Sequence, residues 1–410
     1  MEMEAHPRTR AHAIFFVLMS ALALVSFLFS CQALYMERHR IVSGYGDYVI
    51  FYTGAQIVRD GAGRDLYDLS RQREYQDKFA VPIRAGALPF NHPPYELLWH
   101  IPLTFLSYID AYIAWNVINV GLLLSIARWF LPRKRFDLRL MFLFMMFGFY
   151  PILVVFLQGQ DSILLTYLIG AAFIALKQHN EVGAGVLLGL ASFKPQLVLP
   201  IVLAFACKPY QKAAAAWLVS VMLLGIISVA IVGIPGAMKY LELISWIDKV
   251  NYTINPALMP NLRGIVYLSL AAQLPIAVYP LTALLTLGVL TYIVRLWRRV
   301  PPENETIFDL TIALVLTLSV LSSYHAYTHD FTLLLLPALI VTRYLLTESP
   351  QGMVPILLFL MLLILWIPFP LTYGQLLQEE KLALGSLAII AFAILLAMQL
   401  EFLRPPPRST

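Results

Sequence analysis

Charge is what this sequence has least of: 13% of its 410 residues are Asp, Glu, Lys or Arg, against about 25% in a soluble domain. Hydrophobic residues make up 60%, so water is not the main solvent of this chain. Cysteine is nearly absent. Cys31 and Cys207 fall near opposite ends of their apolar segments, which excludes a disulfide between them and any cysteine-based metal site. The phosphate loop Gly-x4-Gly-Lys-Ser/Thr, the zinc motif His-Glu-x-x-His and the nucleophile elbow Gly-x-Ser-x-Gly are all missing, which argues against ATP-driven pumps and zinc proteases. There is no low-complexity segment, and no internal repeat of the sort that inverted-repeat transporters carry. The net charge of +5 calls for no nucleic-acid partner, because the basic residues gather in short loops beside apolar stretches, where they orient the chain among anionic lipid headgroups.

Long apolar runs are present in their place. Twelve segments read as membrane helices: 13–35, 107–130, 139–158, 161–177, 182–194, 196–207, 213–234, 275–296, 306–323, 331–347, 352–370 and 384–403. The first is too long for a secretory signal and lacks its small-residue cleavage site. An even number of crossings puts both termini on one side, and alternate loops hold the basic residues. These are Arg8 and Arg10; Arg128, Arg133, Lys134, Arg135 and Arg139; Lys177; Lys208 and Lys212; Arg295, Arg298 and Arg299; Arg343; and Arg404 and Arg408. The expectation is one all-α polytopic domain over 1–410, in a bacterial inner membrane, with both termini in the cytoplasm.

Segments 182–194 and 196–207 are each short for a crossing, so the pair reads as a hairpin of broken helices with its tip at Phe193-Lys194-Pro195-Gln196, where proline interrupts the helix. A lysine at that depth marks a polar cavity or a partner, unless it snorkels to the interface. Two extracytoplasmic loops, 36–106 and 235–274, are long enough to fold. The first holds a helix from Tyr48 to Arg59, with Tyr48, Phe51, Tyr52, Ala55 and Val58 on one face, and a second from about Ser70 to Phe79. Both read as amphipathic surface helices.

The polar residues at the outer ends of these segments carry the chemistry. Asp47 opens the first loop helix; it is either an N-cap or a general base able to take a proton from an attacking hydroxyl. Gln158-Gly159-Gln160-Asp161 occupies a tight turn, where the side chains bind a polar ligand or satisfy two helix ends. Tyr324-His325-Ala326-Tyr327-Thr328-His329-Asp330 places two histidines and a carboxylate at another end, and His329 with Asp330 forms an oriented imidazole. Arg263 adds a cation, and Lys194, Arg263 and His329 together can balance an anionic leaving group.

At these residues the chain resembles glycosyltransferase family 87 of the GT-C superfamily, the polyprenyl-phosphate-mannose-dependent group. The likeness runs through Gly46-Asp47 to Phe51-Tyr52, Leu66-Tyr67-Asp68, Phe90-Asn91-His92-Pro93-Pro94, Gly159-Gln160, Gly185 to Gly189, Lys194-Pro195, Leu321-Ser322 and His329. It departs where Asp161 stands for a common Asn, His92 for a common aromatic residue and Ser323 for a common Pro. The resemblance implies a GT-C-like bundle and inverting transfer of mannose, or a similar pentose or hexose, from a polyprenyl-phosphate donor. The acceptor would be a lipid or glycan on the extracytoplasmic face. Asp47 would be the base, Lys194, Arg263 and His329 the donor-phosphate set, and Gln158, Gln160, Asp161, His92, His325 and Asp330 the sugar and acceptor contacts. No cofactor is expected, since protein cations can neutralise a single phosphate, although Asp47, Asp161 and Asp330 leave room for a metal. The alternative from another class is a lipid or sugar transporter or flippase.

Overall fold

The computed structural model describes residues 10–44, 46–79, 87–130, 135–207, 209–250, 255–299, 304–367 and 384–403. Arg8, Arg133, Lys134, Lys208, Arg404 and Arg408 lie outside them. Sixteen α-helices and no strand form among the described residues. They are α1 Arg10–Val42, α2 Tyr48–Arg59, α3 Leu69–Gln76, α4 Tyr108–Phe130, α5 Phe136–Gly148, α6 Tyr150–Gln158, α7 Ser162–Lys177, α8 Glu181–Leu190, α9 Pro195–Phe205, α10 Gln211–Val250, α11 Leu262–Leu270, α12 Pro275–Trp297, α13 Glu305–Ser322, α14 Leu335–Thr347, α15 Met353–Trp366 and α16 Leu384–Leu403. Each of the twelve apolar segments, as far as it is described, falls on one of these helices, a consecutive pair, or a helix with an adjoining 3-10 turn.

The protein is a polytopic membrane bundle. Seven helical stretches are long and apolar enough to cross a bilayer, and α5 with α6, bent by 52°, makes an eighth. Helices α7, α8, α9 and α15 are shorter, and α8 and α9 break at Lys194, with Pro195 opening α9. Proline is tolerated there because the first helical N–H has no intrahelical partner to lose.

Burial sorts the long helices. The apolar window of α13 is 83% buried, so this helix is the central post, whereas α10 is 11% buried and faces outward. Apolar area alone does not drive helices together in lipid, so close approach does the work. Gly185 and Gly189 of α8 illustrate it: a Cβ at Gly185 would stand 2.2 Å from Ala213 O, and one at Gly189 would stand 2.4 Å from Ser220 Cβ of α10.

Both expected loop helices form. Nine of the twelve residues of α2 are buried, from Tyr48 through Ala55 and again at Ile57, so it packs within the protein. Helix α1 runs past Tyr35 to Val42, carrying polar Glu37, Arg38, His39 and Arg40 on its last turns, where basic residues complement the helix dipole. Helix α10 continues beyond the expected end at 234. It bends at Gly233, whose φ of 69° and ψ of 171° leave the helical region, so its second half supplies the first element of the 235–274 segment, before α11.

Candidate functional site

One turn gathers the polar residues. Helix α6 ends at Gln158 and α7 starts at Ser162, with Gly159 between them at φ 67° in the left-handed region. Glycine is required there twice over: L side chains avoid this conformation, and a Cβ would lie 2.6 Å from Tyr48 Cβ. The turn is pinned from α4 by Trp115, whose indole N–H donates to Gln160 O at 3.2 Å. Its three polar side chains then point three ways. Gln160 donates to Asp47 Oδ2 at 2.9 Å, Gln158 Oε1 lies 3.0 Å from His329 Nδ1, and Asp161 Oδ1 lies 2.8 Å from Lys194 Nζ.

Asp47 occupies the N-cap position of α2, yet its side chain makes no capping bond. The carboxylate turns to Gln160 instead, and its second oxygen receives no hydrogen bond from a described residue. Asp47 is half-buried and lines a cavity of about 720 Å³ with Glu37, Arg40, Tyr150 and Gln158.

Lys194 does not snorkel. It is 4% exposed, and three partners surround its ammonium: Asp161 Oδ1 at 2.8 Å, Asp330 Oδ1 at 2.7 Å and Ser162 Oγ at 2.9 Å. Burying such charges is repaid only by close pairing of this kind. Asp330 is fully engaged as well, since its Oδ2 accepts from Tyr327 N at 3.0 Å, which ties the 323–330 segment to the helix break. Lys194, Gln196, His92, His325 and His329 line a second cavity of about 250 Å³. An apolar groove of about 350 Å³ adjoins it, sharing Pro195 and Tyr240 and running along Leu224 and Val232 of α10. The Gln158–His329 contact stands between the Asp47 cavity and the Lys194 cavity.

His92 is placed by side chains of α3 and of the turn before it. Gln76 brackets Leu88, accepting from its N–H at 3.0 Å and donating to its O at 2.7 Å. Gln72 accepts from Phe90 N at 2.8 Å, and Tyr67 donates to His92 O at 2.7 Å. The His92 ring packs against Phe51 and Phe90, with centroids 5.3 and 5.7 Å away, and these two rings also meet each other. Its Nδ1 is 2.7 Å from Glu96 Oε2 and 3.8 Å from Asp161 Oδ2. Burial holds the His92 imidazole down at about 4. Burial, and after it the Asp161 charge, raises Glu96 well above the usual carboxylate range.

Arg263 is buried, but its guanidinium lies 4.1 Å over Tyr324 and 5.7 Å from Tyr279, and it donates to Tyr324 O at 3.3 Å. It backs the 323–327 segment and does not line the Lys194 cavity. His325 does line it, and burial holds its imidazole down at about 4. Thus Asp47, His92, Gln158, Gln160, Asp161, Lys194, His329 and Asp330 form one connected set, with His325 on the cavity wall and Arg263 behind it.

Sequence reasoning missed Glu96, Ser162 and His100. Glu96 had a signal, being an acidic residue in the apolar run Tyr95 to Phe105, four residues after His92. His100 is 1% exposed and stacked 5.0 Å from Phe51, with neither ring nitrogen hydrogen-bonded; burial depresses it to about 3. The pattern that defines glycosyltransferase family 87 matches residues 90–324, which include His92, the Gln158–Asp161 turn, Lys194 and Arg263. No curated protein and no solved structure matches the chain.

Proposed function

The chain belongs to glycosyltransferase family 87, and from that membership we propose that it moves a sugar from a polyprenyl-phosphate carrier to a lipid or glycan acceptor on the extracytoplasmic face. What supports this reading above all is the Gln158–Asp161 turn, which links a carboxylate with one unengaged oxygen on one side to a histidine and a buried ammonium on the other. The acceptor hydroxyl enters the Asp47 cavity and gives its proton to Asp47 as its oxygen attacks the anomeric carbon. The bond from that carbon to the phosphate oxygen breaks on the opposite face, so the configuration inverts.

The leaving phosphate sits in the cavity lined by Lys194 and His329, with the prenyl chain in the adjoining apolar groove. His329 binds the phosphate as the imidazolium: Nδ1–H donates to Gln158 Oε1, Nε2–H faces the phosphate, and Asp330 Oδ2, 3.5 Å from Nε2, supports the charge. Lys194 contributes charge at short range with its donors held by Asp161, Asp330 and Ser162, and Arg263 supports the 323–327 wall. Gln160 orients the base. His92 and His325 offer ring nitrogens to the sugar, and Asp330 and Asp161 position Lys194. For sidedness, Lys177, Arg295, Arg298, Arg299 and Arg343 belong to the opposite end of the bundle, as the positive-inside rule expects of a cytoplasmic face.

The test uses purified protein in nanodiscs with radiolabelled polyprenyl-phosphate sugars and lipid acceptors. Wild type should yield a labelled glycolipid, and Asp47→Asn should abolish transfer while still binding the donor. Turnover retained in Asp47→Asn removes Asp47 as the base; no product from any polyprenyl-phosphate sugar overturns the donor class.

A further inference from the structure

Nδ1 of His92 and one carboxylate oxygen each from Glu96 and Asp161 lie within 4.8 Å of one another. We propose that these three residues bind one divalent cation, of the Mn²⁺ or Zn²⁺ type. Glu96 is wholly buried, and among the described residues neither of its oxygens accepts from an N–H or a hydroxyl; a carboxyl contact with Asp161 and the His92 Nδ1 at 2.7 Å, which makes no hydrogen bond, are what face it. A buried carboxylate left that way is strongly disfavoured unless it takes up a proton or a cation meets it.

The neighbouring ammonium cannot serve. Lys194 is already shared between Asp161 and Asp330, so three buried carboxylates face one lysine, and a dication leaves the group neutral. Lys194 lies on Asp161 Oδ1, while Oδ2 is the oxygen turned toward His92. One imidazole nitrogen with two carboxylates suits Mn²⁺ or Zn²⁺ better than Ca²⁺ or Mg²⁺, which prefer all-oxygen shells. The ligands are also pre-set: the His92 ring packs against Phe51 and Phe90, and Gln72 and Gln76 fix the segment that carries it. His92 lines the 250 Å³ cavity, so the cation would cancel the negative charge behind that wall. The cation site itself does not rest on the transfer reaction, because binding is read without any sugar donor.

The full chain in nanodiscs, stripped with a chelator, is titrated with Mn²⁺ and followed by the electron paramagnetic resonance of the free ion. Wild type should take up one Mn²⁺ per chain, displaced by Zn²⁺. Glu96→Gln should weaken uptake by at least about tenfold, the loss that removing even an outer-sphere partner brings. Lys177→Gln, at the far end of α7, should bind as wild type does. If Glu96→Gln does not fold, His92→Gln carries the same expectation. No stoichiometric uptake by wild type, or equal uptake by wild type and the ligand variant, overturns the proposal and leaves a proton shared between Glu96 and Asp161.

Discussion

Helix α7 has an ionic cluster near each end, about 24 Å apart at 1.5 Å per residue. At its C-terminus Lys177 meets Glu305 and Asp309, each at 2.8 Å; at its N-terminal end Lys194 meets Asp161 at 2.8 Å and Asp330 at 2.7 Å. The pairing distances are nearly the same. The side chains of the first cluster are 25, 48 and 23% exposed, those of the second 5, 1 and 2%. Distance therefore says little about what each cluster is worth; burial decides, because only desolvated partners are stranded when one is removed.

Breaking the clusters separately should show the largest contrast. Lys194→Met leaves two buried carboxylates and should lower stability by about 3–5 kcal/mol, while Lys177→Met should change it by about 1 kcal/mol or less after allowance for solvent screening. Thermal melts in one detergent measure both, and equal losses would erase the contrast. The next effect sharpens how the buried end is held. Gly159→Ala forces a left-handed residue against Tyr48 and should be destabilising by about 1–3 kcal/mol. It should also slow transfer by swinging Gln160 away from Asp47, whereas a normal rate in that variant would free the turn of its positioning role.

Acid should act on the buried end as well. His92, His100 and His325 are depressed below their unfolded value near 6.5. Between 6.5 and about 4 the unfolded chain binds protons that the folded chain does not, so stability falls as pH falls. Each histidine contributes up to about 2 kcal/mol between pH 7.5 and 5. Melting curves across that range should show the fall, and His100→Phe should flatten it in part. The smallest effect belongs to the exposed end: the difference between wild type and Lys177→Gln should shrink as salt is raised toward 1 M, while that between wild type and Lys194→Met should not.

Much of this was legible in the linear chain. The helices α1, α4, α12 and α13, the break at Lys194-Pro195 and the helix after Asp47 follow from apolar length and from proline, which act locally. Glu96 was missed because only His92 lies near it in sequence: Asp161 arrives from a turn 65 residues later, and Lys194 from a helix break later still. The capping role open to Asp47 is excluded by the orientation of Gln160, a contact across 113 residues. His92 and Asp161, separate candidate contacts in the sequence, prove to be neighbours.

What the sequence determined by itself was the solvent and the elements: too little charge for water, apolar runs long enough for helices, and a proline where one had to stop. Tertiary structure alone decided which polar groups share a low-dielectric space, that Lys194 is neutralised within the protein, and that Glu96 receives no N–H or hydroxyl donor from the described residues. The physical reason is that hydrophobic length and backbone sterics act over a few neighbouring residues, whereas the energy of a buried charge depends on every group the fold brings within a few ångströms.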